Sequence, residues 1–165
     1  MDFCAFPSIE GFHNVVKYST VYDGSPVVTY RGKIKIHGTN AAVRISNGEV
    51  AAQSRSQIVT PGKGDNAGFA GWVESNKDYW QSLPLTDHAI FGEWCGPGIM
   101  KGTAINQLTN KVFAVFAVQV GSGDDARIII EPEEIEILLG DKPVDVHVLP
   151  WCCEPLVVDF SRRSQ

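Results

Sequence analysis

Two strand-like segments joined by a tight turn are the feature that most constrains the fold of this chain. Residues 41–45 and 49–54 both have the composition of short β-strands, and Ser46-Asn47-Gly48 lies between them. Asparagine and glycine tolerate the positive φ angles of a tight hairpin turn. The sequence therefore predicts an antiparallel hairpin in the first third of the chain.

Further strands are expected on both sides of this hairpin. They are predicted at residues 27–36, 89–94, 111–120, 128–130, 146–149 and 156–160. A helix is predicted from Pro132 to Leu139, because proline suits the first turn of a helix. Another is expected after a cap at Asp65 or Asn66. Its apolar residues fall on one helical face, which we interpret as core: Phe69, Trp72, Val73, Trp80 and Leu83. Many strands with two helices predict an α+β fold with largely antiparallel sheets.

Composition is typical of a single soluble domain. The chain has 165 residues, of which 44% are hydrophobic and 20% are charged, so we expect one domain over residues 1–165. No apolar stretch approaches the ~20 residues of a membrane helix, and a cytoplasmic location is the default expectation. The four cysteines lack the spacing of a zinc site or a disulfide framework.

Charge is unevenly distributed along the sequence. The net charge of −5 argues against a nucleic-acid footprint that covers the whole surface. Between residues 31 and 63, however, six basic residues stand against the single acid Glu49: Arg31, Lys33, Lys35, Arg44, Arg55 and Lys63. This segment is predicted to line a phosphate-binding surface.

Lys35 is the candidate nucleophile of this basic segment, and the alternative is an ordinary solvated lysine at a strand end. A lysine attacks an electrophile only when its amine is neutral, and neighbouring cations or burial favour the neutral form. Lys33, Arg55 and a bound metal ion would be suitable cations. The residues alone leave both interpretations open.

The run Lys35-Ile36-His37-Gly38-Thr39-Asn40 resembles the first motif of the nick-sealing RNA ligase family, within the covalent nucleotidyltransferases. Residues 54–56, 91–99 and 112–116 resemble that family's motifs Ia, III and IIIa, in the same order. The resemblance implies an adenylation domain that uses ATP and Mg²⁺ or Mn²⁺. It also implies a lysine–AMP intermediate and an RNA substrate with 5′-phosphate and 3′-hydroxyl ends, in a nicked duplex, and no protein partner is inferred.

The resemblance also implies roles for individual residues. Lys35 and His37 are the predicted catalytic residues, Arg55 and Lys101 are predicted to contact phosphate or RNA, and the metal ligands are unknown. Glu93 is expected to bind the ribose hydroxyls and Phe116 to stack on adenine; Phe113 lies on the opposite face of its strand. The predicted ATP-binding residues are Lys33, Ile34, Lys35, Ile36, Asn40, Arg55, Glu93 and Phe116.

Two family motifs are missing from the sequence. A motif IV Glu-Gly-x-Val and a motif V Lys-x-Lys are expected after Phe116, and neither is present. We therefore expect a domain truncated at its C-terminus, which on its own forms the lysine adenylate poorly or not at all. A DNA ligase or a capping-type nucleotidyltransferase is the close alternative, which His37 and Thr39-Asn40 disfavour, and a non-catalytic nucleotide- or RNA-binding remnant is the distant one.

Overall fold

The computed structural model describes residues 1–11, 13–15, 17 and 27–159, except for the side chain of Asp124. Its contacts divide the chain into two compact units. The large unit contains Met1–Phe6 and Lys35–Leu149, and the small unit contains Pro7–Ile34 and Pro150–Gln165. The single truncated domain over residues 1–165 stays a prediction.

Among the described residues, antiparallel strands dominate the secondary structure. The strands are β1 (Val27–Tyr30), β2 (Thr39–Ser46), β3 (Glu49–Ser54), β4 (Ile58–Val59), β5 (Asp87–Cys95), β6 (Val112–Val120), β7 (Arg127–Ile129), β8 (Val146–Val148) and β9 (Leu156–Asp159). In the large unit the strand order is β4-β3-β2-β5-β6-β7, and β8 pairs with β6 in parallel. Together with a few helices, this arrangement confirms the predicted α+β class.

The β2–β3 hairpin forms as the sequence predicts. Ser46 pairs with Glu49, and the turn residues Asn47 and Gly48 have φ angles of 51° and 78°. Both angles are positive, as a tight primed turn requires. This hairpin sets the register of the sheet, since β2 also pairs with β5 along its full length.

The helix predicted from Pro132 to Leu139 forms with those bounds, whereas the helix expected after residue 66 forms as two shorter ones. The helices of the large unit are α1 (Phe69–Ser75), α2 (Lys77–Ser82) and α3 (Pro132–Leu139), with 3₁₀ turns at Ala104–Gln107 and Gly123–Asp125. The prediction of a single helix after residue 66 is wrong, because the helix is interrupted at Asn76. The Asn76 side chain donates to the Trp72 carbonyl. The cap is also wrong: α1 follows Gly68, whose N–H donates to Asp65.

The main core lies between the helices and one face of the large sheet. Its centre is aromatic, with ring centroids 5.0–6.4 Å apart among Phe69, Trp72, Trp80, Trp94 and Phe113. Trp80 packs edge-on against Trp72, so the apolar stripe continues across the break at residue 76. The prediction that this stripe is core is therefore confirmed.

Residues Met1–Phe6 cover part of the opposite sheet face. The Cys4 backbone exchanges two hydrogen bonds with the buried side chain of Gln53, each 2.9 Å long. The Phe6 ring packs edge-on against Phe91 and Phe116, with centroids 5.1 Å away in both cases. This N-terminal segment is thus an integral part of the large unit.

The small unit contains the antiparallel pair β1–β9 and an isolated bridge between Lys33 and Trp151. The strand predicted at residues 27–36 is wrong beyond Tyr30. Glycine weakens a strand interior, and Gly32 interrupts this one, where an added Cβ would lie 3.1 Å from the Cys152 sulfur. Residue 160, predicted to end the last strand, lies outside the described residues. Within those residues, no helix is long and apolar enough to cross a bilayer.

Candidate active site

The segment that carries Lys35 leads into β2 instead of ending a strand. Lys35 and His37 are exposed, and Ile36 is half-buried. Regular pairing begins at the next two positions after Gly38, where Thr39 lies opposite Trp94 and Asn40 opposite Glu93. The strand register therefore fixes one end of this segment to β5.

Gly38 brings the Lys35 segment very close to β5. A Cβ at this position would lie 2.5 Å from the Trp94 carbonyl oxygen and 2.9 Å from the Cys95 Cβ. The Gly38 N–H also donates to the Glu93 carboxylate. The sequence suggests only that Gly38 shapes a turn, but the physical requirement here is close approach of two backbones, which only glycine permits.

Glu93 lies at the centre of the predicted site residues. Burial raises the pKa of its half-buried carboxyl group, while the positive charges of Lys35, His37 and Arg55 and the hydrogen bond from Gly38 act in the opposite direction. These residues come from three parts of the sequence. The structure therefore brings together four of the residues that the motifs predicted.

Strand order explains how Arg55 reaches this position. Arg55 is exposed and directly follows β3, whose last residue, Ser54, pairs with Ala41 of β2. Since β3, β2 and β5 are neighbours, the end of β3, the start of β2 and the C-terminal part of β5 meet at one edge of the sheet. A cationic edge next to a partly buried carboxylate suits a ligand with both phosphates and hydroxyl groups.

A β-bulge in β6 separates Phe113 from Phe116. Phe91 pairs with Ala117 and Gly92 with Val115, which leaves Phe116 as the extra residue. Phe113 is fully buried in the main core, whereas Phe116 is half-buried and packs with Phe91 on the opposite face. Alternation along β5 places Glu93 on that same face. Of the two rings, only Phe116 is therefore available to a ligand beside Glu93.

Comparison with known proteins agrees with this geometry. The sequence profile of the RNA ligase family matches residues 29–159, which is most of the chain. The chain belongs to the RNA ligase family. Comparison with curated protein sequences gave no significant match.

Solved structures of Naegleria gruberi RNA ligase share this fold. A variant with ATP and manganese is 20% identical and superposes with a TM-score of 0.58, over 78% of this chain and 37% of that one. An apo variant is 18% identical with a TM-score of 0.60, over 81% and 38%. A variant with AMP and manganese is 18% identical with a TM-score of 0.59, over 78% of this chain and 37% of that one. The chain thus spans less than two fifths of these ligases.

Three other predicted contacts of this RNA ligase family member, Lys33, Ile34 and Lys101, are not among the residues that shift the pKa of Glu93. Lys33 and Ile34 belong to the small unit, where the Lys33 ammonium lies 4.7 Å from the centroid of the Trp151 ring. Lys101 is exposed in the loop after β5. Their roles in binding ATP or RNA stay predictions.

Sequence reasoning missed two contributors to the candidate site. Asn66 bonds to Thr39 and to the Asn40 carbonyl, and Phe6 packs against Phe116. A polar loop residue and an N-terminal phenylalanine carry no local signal, because their importance depends on contacts with distant parts of the chain. Among the described residues, no group of three or more histidine, cysteine, aspartate or glutamate side chains could hold a metal ion.

Proposed function

We propose that this protein is an ATP-dependent RNA ligase in which Lys35 becomes covalently adenylylated. The observation that carries the proposal is that strand order and register bring Lys35, His37 and Arg55 to the same end of the sheet as the half-buried Glu93, whose pKa their charges act to lower. Membership of the RNA ligase family supports the joining of RNA ends as the reaction at this site.

The first proposed step is attack by the Lys35 amine on the α-phosphate of ATP. A phosphorus–nitrogen bond forms, the bond to pyrophosphate breaks, and the amine loses a proton. Negative charge on the phosphate oxygens needs fixed positive charge nearby, which the Arg55 guanidinium and His37 would supply. Lys35 is exposed, so its amine is accessible to the nucleotide.

Glu93 and Phe116 are the proposed contacts for the nucleoside. A carboxylate accepts hydrogen bonds from both ribose hydroxyls, and a phenylalanine ring stacks on the face of adenine. Their position on one sheet face supports this assignment, with Phe116 held by the edge of Phe6. Asn40, directly opposite Glu93 in the β2–β5 ladder, is the proposed second polar contact.

Mg²⁺ or Mn²⁺ is the proposed cofactor, in line with the manganese named for the Naegleria ligase structures. The ion would neutralise charge on the phosphate oxygens of ATP. Magnesium usually keeps several waters and binds through substrate phosphates with one or two carboxylates. A magnesium ion bound in this way does not need a cluster of three protein ligands, and the described residues form none.

The proposed substrate is RNA with a 5′-phosphate and a 3′-hydroxyl at a nick in a duplex. AMP moves from Lys35 to the 5′-phosphate, and the 3′-hydroxyl then attacks that phosphate and releases AMP. Arg55 at the exposed end of β3 and Lys101 after β5 are the proposed contacts for the RNA phosphates, because exposed cations bind phosphates without reading sequence.

Self-labelling tests the proposal directly. The chain is incubated with Mg²⁺ and ATP labelled on the α-phosphate, denatured, and examined for retained label. Because motifs IV and V are absent, we expect weak label on the wild-type chain, none on Lys35→Ala, and the wild-type level on Lys77→Ala, which removes a partly exposed lysine on α2.

The outcomes separate the competing functions. Equal labelling of the wild-type chain and Lys35→Ala would exclude Lys35 as nucleophile. Binding of ATP without covalent label would contradict an active ligase and favour a non-catalytic nucleotide-binding role. If label moves to a 5′-phosphorylated DNA nick faster than to an RNA nick, the proposed RNA specificity is wrong.

A further inference from the structure

A loop in an unusual conformation holds the Lys35 segment from the core side of the sheet. Asn66, Ala67 and Gly68 have consecutive φ angles of 60°, 61° and 88°. Residues other than glycine rarely adopt positive φ, although asparagine tolerates it better than alanine does. Contacts elsewhere must therefore maintain this conformation, and strained backbone of this kind is often found at functional sites.

The Asn66 side chain binds the two residues that follow Gly38. The Thr39 hydroxyl donates to the Asn66 Oδ1 at 2.7 Å, and the Asn66 Nδ2 donates to the Asn40 carbonyl oxygen at 3.1 Å. A primary amide has both an acceptor and a donor, so it satisfies both partners at once.

The neighbouring residues of the loop are tied down as well. The Ala67 carbonyl oxygen accepts from Trp94 Nε1 at 3.1 Å and from Lys111 Nζ at 2.7 Å. The Gly68 N–H donates to the Asp65 carboxylate at 2.7 Å. The loop is therefore fixed to β5 and to Lys111, the residue before β6. These contacts hold the Asn66 amide in position for its hydrogen bonds with β2.

We propose that Asn66 is a positioning residue for adenylylation, and this inference rests on the proposed function. Its amide fixes Thr39 and Asn40, and through Gly38 it sets the approach of the Lys35 amine to the α-phosphate. Asn66 contacts β2 on the Thr39 side, whereas Glu93 lies on the nucleotide side. The start of β2 is thus held between the loop and the nucleotide site.

Asn66→Gly and Ala67→Gly form a matched pair of variants. Asn66→Gly keeps the positive φ accessible but removes both side-chain hydrogen bonds, and Ala67→Gly relieves the conformation without touching them. We expect the labelling rate of Asn66→Gly at saturating ATP to fall about 10- to 100-fold, because small misplacements of a nucleophile are costly. The ATP concentration for half-maximal rate should change less than 3-fold, that is, by roughly the strength of a weak contact. Ala67→Gly should label normally and melt at a higher temperature.

Variants at the partner positions test the two hydrogen bonds separately. Thr39→Ser keeps a hydroxyl donor and should restore most of the labelling rate that Thr39→Val loses. Asn66→Asp still accepts from Thr39 but cannot donate to the Asn40 carbonyl, so its rate should lie between those of wild type and Asn66→Gly. Normal labelling of Asn66→Gly with an unchanged melting temperature would overturn the proposal.

Amide hydrogen exchange of residues 35–40 gives a readout that does not depend on activity. We expect faster exchange of this segment in Asn66→Gly and unchanged exchange in Ala67→Gly. If the wild-type chain carries no label, the proposed function fails, and exchange alone then decides the positioning role. Unchanged exchange in Asn66→Gly would overturn that role even if wild type labels normally.

Discussion

Asp87 and Glu93 lie six residues apart on the same face of β5, yet their surroundings shift the pKa values of the two carboxyl groups in opposite directions. At Asp87, burial opposes ionisation, but hydrogen bonds from Arg44 and Ser122 outweigh it and lower the pKa. At Glu93, burial prevails over Lys35, His37 and Arg55, and the pKa is raised. A charge closely paired within the protein stabilises the fold, whereas a half-buried carboxylate with a raised pKa among exposed cations is typical of a ligand site.

The partner of Asp87 shows why that end of the strand is structural. Arg44 is 6% exposed, forms a salt bridge with Asp87, and donates to the carbonyl oxygens of Ile45 and His88 at 2.9 Å. Among the residues that the structure describes, no cation is held in this way at the Glu93 end, where Lys35, His37 and Arg55 are all exposed. One end of the strand is thus fixed by a largely buried ion pair, and the other is surrounded by exposed cations.

Arg44→Leu is expected to have the largest effect on stability. It leaves the Asp87 carboxylate and two carbonyl groups without their donor, at a cost of about 2–3 kcal/mol in the free energy of unfolding, since Asp87 is partly exposed. Urea denaturation measures this change. Arg127→Ala, at an exposed position on β7, should change the free energy by less than about 0.5 kcal/mol. Equal losses in both variants would contradict a structural role that is special to Arg44.

Gly38→Ala tests the close approach at the other end. The added methyl group meets the Trp94 carbonyl, so we expect about 1–3 kcal/mol of destabilisation and loss of Lys35 labelling. Gly71→Ala, within helix α1, is the matched control. Its added Cβ would make an ordinary contact, 3.7 Å from the Asp65 carboxylate. That substitution should stabilise the protein by about 0.5–1 kcal/mol. Normal labelling of Gly38→Ala would show that the contact is dispensable.

Glu93→Gln should separate binding from stability most clearly. The neutral amide keeps the shape of the side chain and removes a charge that burial disfavours, so stability should change by less than about 1 kcal/mol. Labelling of Lys35 should fall about 10-fold or more at low ATP concentration, because a ribose contact is weakened. A large loss of stability with normal labelling would assign Glu93 a structural role instead.

The pH dependence of stability should have opposite signs for the two carboxylates. Asp87, whose pKa is lowered in the folded state, contributes stability that is present above its ordinary pKa of 3.8 and is lost as pH falls through the folded value. Glu93, whose pKa is raised, has its favourable contribution below its ordinary pKa of 4.5, and this is lost as pH rises through the folded value.

Chemical denaturation between pH 3 and pH 7 measures both slopes. Asp87→Asn should flatten the loss of stability at the acidic end, and Glu93→Gln should flatten the loss above pH 4.5. These are the smallest effects of the series. Identical pH profiles for the two variants would show that the pKa values of Asp87 and Glu93 are not shifted in opposite directions.

Local patterns predicted the parts of the structure that depend on local interactions. The Asn47-Gly48 turn and the first turn at Pro132 follow from backbone preferences, and the α+β class follows from the number of strands. Convergence of Lys35 and Glu93 followed from the family motifs, which encode a three-dimensional arrangement. The placement of ATP and RNA at these residues remains a prediction.

The remaining features depend on tertiary contacts that local sequence does not report. The break at Asn76 leaves the apolar stripe unchanged, so periodicity did not reveal it. Strand β1 pairs with residues more than 100 positions away in sequence, so local sequence does not report the extent of this pairing. The role of Asn66 in holding Thr39 depends on a loop 27 residues distant in sequence.

The bulge at Phe116 has a consequence for sequence alignment. Phe113 and Val115 face the main core, but the next core residue is Val118, three positions on, because one extra residue is accommodated between them. A relative with an unbroken ladder would need one residue fewer here to keep both halves of the strand in register. An alignment of β6 without a gap at this point would place Phe116, on the face opposite the main core, against a core residue and mistake an insertion for a substitution.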